Sequence, residues 1–388
     1  MCKTPRQPHL SGRQRRGATR PVALLAAGLL AAAVIGCGEP SPAPRADRDK
    51  TVTVPAILPL TGASSDLGRS VDNGMLLAEE DLAAAGQPYL LRVEDSQGLP
   101  DQALTAYNAL NLGSSDRVVL SWMSSAGRAL ATHTRADGKL LFVGAALADL
   151  TAADGMVVRV WPNALQIGQT MGSFAAQRGY RRVAVLYVND DYGRSVAASF
   201  QKVFEQSPGQ VVAREPLAIG QSDYRTPCER IRGARPDALY VPAYGDAYVS
   251  GLRQMREVFG DDMPIIADFP LLSSFTQQKV GAAAEGVLVP ATDLDLEPRP
   301  AGPAQAFAAR YKAKYHLEAD FNSGLGYMML TIAARARAAR PGGADLAGAI
   351  RGQAFQGPVG ELRYDSHNDC TLPIRVARIQ GGRAHPVS

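Results

Sequence analysis

From Thr51 onward, short runs of apolar residues alternate with stretches of helical periodicity, and no other feature of the chain constrains its fold so tightly. Leu140-Leu-Phe-Val-Gly144, Val183-Ala-Val-Leu-Tyr-Val188 and Ala238-Leu-Tyr-Val241 carry almost nothing polar on either face. A strand with one wet side would alternate. Strands this uniform must be covered on both sides, as in parallel sheets flanked by helices. Between them, Val71, Met75, Ala78 and Leu82 share one face of a helix that Gly86 ends, and residues 101–112 predict a second helix.

The order of elements follows from the same pattern. Strands are predicted at 52–60, 89–95, 117–121, 140–144 and 157–161, with a helix from Ser125. The pattern then restarts with a helix over 164–177 and strands at 182–188, 211–212, 238–241, 264–267 and 286–289. Helices are predicted from Tyr192, from Pro227 and over 247–258. One sheet of common size does not hold so many strands, so the expected fold class is α/β with two doubly wound lobes. Helices at 303–315 and 324–340 come late and would return to the first lobe, before strands at 361–364 and 374–379.

A length of 388 residues suits two domains. Charge places the chain further. Its 41 Lys plus Arg exceed 37 Asp plus Glu, but six of the basic residues lie within residues 1–36, which hold no acid. Without them 35 basic residues face 37 acidic ones, so nothing favours a nucleic-acid partner. The basic stretch to Arg20 is followed by sixteen uncharged residues, Pro21 to Gly36, short for a membrane span of roughly 20. That order is an export signal over residues 1–36, and Val34-Ile-Gly-Cys37 resembles the bacterial lipoprotein box, which implies lipidation of Cys37. Residues 37–50, rich in proline and charge, are expected to be a flexible tether. Such a protein would sit in the cell envelope, facing the periplasm or exterior and touching membrane through its lipid alone.

Two further cysteines remain, Cys228 and Cys370, and their separation specifies no disulfide. Thr226-Pro-Cys-Glu229 has the form of a capping box, which would place Cys228 in a first helical turn, either as a reactive thiol or as a small packing residue.

Catalytic signatures are missing. There is no phosphate loop, no Gly-x-Ser-x-Gly elbow and no CxxC, and His133, His316, His367 and His385 lack metal-ligand spacing. The expectation is a protein that is no enzyme and needs no cofactor or metal. What remains are loops at the C-terminal ends of strands, where open parallel sheets take ligands. Ser124 and Ser125 open a helix and could meet a carboxylate or simply cap. Tyr192 and Tyr244 could cover a ligand with their rings, Asp268 ends a strand, and Asp190 and Asp191 have the position of helix caps.

Over some 330 residues the chain resembles the leucine/isoleucine/valine-type solute-binding proteins of ABC transporters. The resemblance is carried by Pro59-Leu-Thr-Gly62 with Asp66-Leu-Gly68, Glu94-Asp95, Arg159-Val-Trp-Pro162, Asn189-Asp-Asp-Tyr-Gly193, Pro236-Asp-Ala-Leu-Tyr240, Ala284-Glu-Gly286 and Gly324-Leu-Gly-Tyr327. It implies the type I periplasmic binding fold: two lobes joined by three crossovers and closing on a small solute. The lobes would be residues 51–162 plus 291–363 and residues 163–290 plus 364–388. By position, Ser124 and Ser125 would hold a ligand carboxylate, Ala145 and Ala146 would lie in the facing segment, and Tyr192, Tyr244 and Asp268 would complete the site. The implied partners are a small polar solute, by default a branched-chain amino acid or a related amide or carboxylate, and an ABC permease with its ATPase. The binding protein itself would be a monomer. A sensing or envelope-regulatory lipoprotein on the same fold is the alternative. Two departures stand out: Val143-Gly-Ala-Ala-Leu147 lacks the serine or threonine common in amino-acid binders, and Asn163-Ala164 replaces an acid after Pro162.

Overall fold

The computed structural model describes residues 51–113, 115–151 and 155–387. The expected signal, Cys37 and the tether lie outside the described residues.

The first run of strands builds one sheet. β1 (Val52–Leu58), β2 (Tyr89–Asp95), β3 (Val118–Trp122), β4 (Leu140–Gly144) and β5 (Val157–Arg159) lie side by side in the order β2-β1-β3-β4-β5, all parallel. Every residue of β3, β4 and β5 is buried, as uniform apolarity demands. The connections are α1 (Ser65–Ala84), α2 (Pro100–Ala109) and α3 (Ser124–Ala136).

α4 (Ala164–Gln177) carries the chain to a second sheet, with β6 (Arg182–Val188), α5 (Asp191–Phe204), β7 (Gln210–Leu217), α6 (Arg225–Arg232) and β8 (Ala238–Tyr240). α7 (Asp246–Val249), α8 (Gly251–Phe259), β9 (Ile265–Ile266), α9 (Ser274–Val280) and β10 (Leu288–Ala291) follow. Five strands run parallel in the order β7-β6-β8-β9-β10. The chain then passes through α10 (Pro303–Tyr315) and α11 (Phe321–Ala339) into a small antiparallel sheet of β11 (Ala354–Gly357), β12 (Gly360–Tyr364) and β13 (Cys370–Thr371). It ends by adding β14 (Arg375–Gln380) and β15 (Arg383–Pro386) antiparallel beside β10.

α11 packs along α1, and glycine permits the approach. A Cβ at Gly326 would lie 2.2 Å from the Val71 carbonyl oxygen, and one at Gly74 would lie 1.9 Å from that of Ser323. The two backbones therefore touch directly. α11 starts three residues before Gly324 because Asp320 and Ser323 form a reciprocal capping box.

Several local expectations differ from the structure. The helix predicted over 247–258 is two helices, α7 and α8, meeting at Ser250. The first turn of α6 is capped from outside: Asp223 Oδ1 accepts from the backbone N–H of Arg225 and Thr226, at 3.0 and 3.2 Å, so Thr226 is not the capping residue. Cys228 and Cys370 are free thiols, both buried. Burial pushes Cys228 up to about 12, the behaviour of a packing residue and not of a nucleophile. Among the described residues no helix is long and apolar enough to cross a membrane.

Candidate functional site

The C-terminal ends of the two sheets meet around one cavity. β3 delivers Trp122, Met123 and Ser124; β4 delivers Gly144, Ala145 and Ala146; Trp161 follows β5. From the second sheet come Tyr192 after β6, Tyr244 after β8 and Pro270 after β9, while Leu67 of α1 closes the ring. About 290 Å³ of space free of protein atoms lies between these residues and at the cavity's mouth.

Met123 joins β3 to α3 with φ at 84°, in the left-handed region that a side chain rarely adopts. Such strain costs on the order of 1–3 kcal/mol and persists where neighbours enforce it. Here the Met123 N–H donates to the Gly144 carbonyl at 3.0 Å. Next to it Ser124 Oγ accepts from the Ala146 N–H at 3.1 Å, pinning the β3 loop to the β4 loop. Ser124, the first residue of α3, thereby stands in the cavity wall.

Five of the seven residues named from sequence lie in the wall: Ser124, Ala145, Ala146, Tyr192 and Tyr244. Ser125 does not. Its Oγ accepts from the Asp191 N–H at 3.4 Å and so links α3 to the start of α5. Asp268 is fully buried outside the wall, where its Oδ1 accepts from the Phe269 N–H at 2.7 Å and caps a short turn. Burial raises its carboxyl to about 7, against the opposing pull of the Phe269 N–H and the neighbouring Tyr192 hydroxyl. Asp268 Oδ2 and Tyr192 Oη nonetheless make no hydrogen bond of normal geometry. Of the two acids at the head of α5, Asp190 is the cap, accepting from the Gly193 N–H at 2.9 Å and the Tyr244 hydroxyl at 2.7 Å. Asp191 pairs with Arg128 and Arg194 instead, each at 3.0 Å.

Trp122 and Trp161, the two tryptophans of the chain, both lie in the wall, and neither is among the site residues expected from sequence. Their positions at or just beyond the ends of β3 and β5 were the available signal. Their rings meet edge to face with centroids 5.4 Å apart. Behind Trp161 stand Phe321 at 4.8 Å and Phe269 at 5.9 Å, stacked on each other at 4.0 Å.

Ion pairs bridge the lip. Arg128 Nε of α3 meets Asp191 Oδ2 of α5 at 3.0 Å, and Lys279 Nζ of α9 meets both Asp66 oxygens of α1 at 2.7 Å. Deeper in, Asp320 accepts from Ser70 Oγ at 2.5 Å and from the Ser274 N–H at 2.8 Å, tying α1, α9 and α11 together. Arg159, wholly buried, donates to the carbonyls of Ala145 and Leu147 and is neutralised by Asp369 at 2.7 Å. Among the described residues no group of three His, Cys, Asp or Glu side chains could hold a metal ion.

Two parallel-sheet lobes whose strand ends share a ring-lined cavity define a cleft-type binding protein of the α/β class. A family model described as periplasmic binding protein matches residues 51–384, and the chain belongs to that family. A Pseudomonas aeruginosa relative, the leucine-, isoleucine-, valine-, threonine- and alanine-binding protein, is 25% identical over 331 residues, covering 82% of this chain and 87% of its own. Two solved structures share the fold. The Rhodopseudomonas palustris ABC-transporter solute-binding protein in complex with 3,4-dihydroxybenzoic acid is 21% identical at a TM-score of 0.79, covering 87% of this chain and 96% of its own. The Streptococcus pneumoniae branched-chain amino acid transporter substrate-binding protein LivJ in complex with isoleucine is 20% identical at a TM-score of 0.79, covering 87% and 99%.

Proposed function

We propose that the protein is an extracytoplasmic, lipid-anchored monomer that closes on a small carboxylate-bearing solute and hands it to an ABC permease driven by its ATPase. The cavity between the two sheets carries this reading: Ser124 lines it from one sheet's side, Tyr192 and Tyr244 from the other's, and ion pairs join α3 to α5 and α1 to α9. Residues 51–162 with 291–363 and residues 163–290 with 364–388 would be the two bodies that close. Ser124, Ser125, Ala145, Ala146, Tyr192, Tyr244 and Asp268 are kept as the proposed site, with Ser125 and Asp268 acting from behind the wall. Relatives with isoleucine or with an aromatic acid share this fold, so the fold alone leaves the solute open.

Native mass spectrometry of the purified protein should show a retained small molecule or a mass shift on addition of a carboxylate library. A bound solute should raise the unfolding free energy by about 2.7 kcal/mol at a hundred times its dissociation constant. Absence of any mass shift and any stabilisation across the library would refute a carrier role. Cys37→Ala should abolish fatty-acid labelling and release the protein from membranes; persistent labelling would refute the anchor.

A further inference from the structure

We infer that the end of the first sheet where the chain arrives from Cys37 is a docking face for an anionic phospholipid surface. The inference builds on the anchor reading, which puts a bilayer within reach. Residues 37–50 span at most about 50 Å when fully extended, and they join the fold at Thr51, beside the start of β1. That segment balances Arg45, Arg48 and Lys50 against Glu39, Asp47 and Asp49, so attraction to a charged surface must come from the folded face.

Charge on that face is the first observation. Thr51 shares a groove with Thr53, Ser115, Asp116, Arg92 of β2 and Arg337 of α11. Arg340 follows the end of α11, and Arg117 stands just before β3 and beside Gly343. None of these four arginines forms an ion pair among the described residues. Arg92 and Arg340 donate to main-chain carbonyls instead, of Leu110 at 2.8 Å and Ala339 at 3.4 Å. On neighbouring α10, by contrast, Arg310 and Lys314 pair with Asp81 and Glu80.

The acids near this end are already engaged. Asp116 Oδ2 accepts from the Gly113 N–H at 2.8 Å, Asp137 Oδ2 from the Tyr107 hydroxyl at 2.6 Å, and a Glu79 oxygen from the Leu91 N–H at 3.0 Å. Asp345 meets Arg351 at 3.7 Å. With Arg351 and Lys139 counted, cations outnumber these acids. Arginine at a helix C-terminus also complements the helix dipole, which accounts for Arg337 and Arg340. It does not account for Arg92 within a strand or Arg117 before one.

An exposed apolar side chain is the second observation. Leu90 is 50% exposed on the edge strand β2, two residues from Arg92 and hence on the same face. It pairs in register with Thr53 of the groove. Leucine among arginines suits the boundary of headgroups and acyl chains, where apolar burial and attraction to anionic lipid act together. The opposite ends of the strands supply the cavity wall. A protein resting on this face therefore holds its cavity about 20 Å farther from the bilayer, the length of β1, and turned toward solution.

Hydrogen–deuterium exchange of the full-length lipidated chain in nanodiscs tests this, comparing phosphatidylcholine alone with discs containing about a third phosphatidylglycerol. In the anionic discs exchange over residues 335–343 and 89–93 should slow about threefold, and the slowing should vanish in about 0.5 M salt. Arg117→Glu with Arg337→Glu and Arg340→Glu should abolish the slowing. The milder Arg117→Gln with Arg337→Gln and Arg340→Gln should weaken it at an unchanged melting temperature. Arg181→Glu with Lys202→Glu and Arg253→Glu reverses as much charge beside the second sheet and should leave the slowing intact. Equal exchange in the two kinds of disc, or an equal loss in both charge-reversed variants, would overturn the inference while the anchor reading stands. A chain that never enters the discs would remove the anchor reading. Non-lipidated Cys37→Ala chain with phosphatidylglycerol vesicles at low salt then decides the face by itself: slowed exchange in the same segments sustains it, and unchanged exchange overturns it.

Discussion

Asp268 is a carboxyl enclosed by three tyrosines, with Tyr192, Tyr240 and Tyr248 all titrating well above their usual value because of burial and its nearby charge. Its folded pKa, about 7, lies above the ordinary 3.8, so between those values the folded protein holds a proton that the unfolded chain releases. Stability from this group is therefore complete below about pH 4 and is lost as pH rises through 7. Asp295, raised to about 6 by burial, adds a smaller slope of the same sign. Asp268→Asn should flatten the fall in melting temperature between pH 5 and pH 8 relative to the parent. An unchanged slope in calorimetric scans would show that Asp268 keeps an ordinary pKa.

Met123 shows a different logic at the same scale. Its φ of 84° is a cost that only the junction of β3, α3 and Gly144 sustains. Met123 is also buried in the core, so Met123→Gly should lower the melting temperature, but by less than Met123→Ala, which loses the same packing and keeps the strain. The same variant should loosen the wall and weaken solute binding, measured by titration. A glycine variant less stable than the alanine one would argue against enforced strain.

Between elements, the contact of α1 with α11 carries the least slack. At Gly326 and Gly74 an added methyl would meet backbone oxygen of the partner helix, which cannot rotate away as a side chain would. Gly326→Ala should destabilise the protein by about 1–3 kcal/mol, read from the urea midpoint, as overpacking does. The effect should appear with or without solute. Sequence periodicity located these helices but not their distance of approach. Nor did it locate the break at Ser250, or β11, β13 and β15, whose four or fewer residues carry too short a pattern to register.

Across the whole molecule, two ion pairs and the Ser125–Asp191 contact hold the lip of the cleft. Arg128 and Lys279 are each about half exposed, so each pair contributes roughly 0.2–1 kcal/mol and is weakened by salt. Arg128→Ala with Lys279→Ala should enlarge the radius of gyration of the solute-free protein in small-angle scattering, and should weaken solute binding by less than about thirtyfold. Identical scattering curves for parent and double variant at low salt would deny these pairs any role in closure.

Sequence by itself determined the architecture, because continuous apolar strands and periodic helices are local patterns that only helix-covered parallel sheets satisfy. It also brought the strand-end loops forward, so Ser124, Ala145, Ala146, Tyr192 and Tyr244 are legible as neighbours from the chain alone. Tertiary structure alone decided what kind of cavity they make. Trp122 and Gly144 come from adjacent strands, and their complementarity exists only once β3 lies beside β4 in register. Trp161, Phe269 and Phe321 come from three distant segments and meet only after the chain has passed between the sheets. Asp268, at a strand end, is fully buried and accepts from the N–H of its own neighbour Phe269, a contact that its position in the chain does not announce. Periodicity along the chain reports which face is buried; it does not report which side chain from another segment will fill the space opposite.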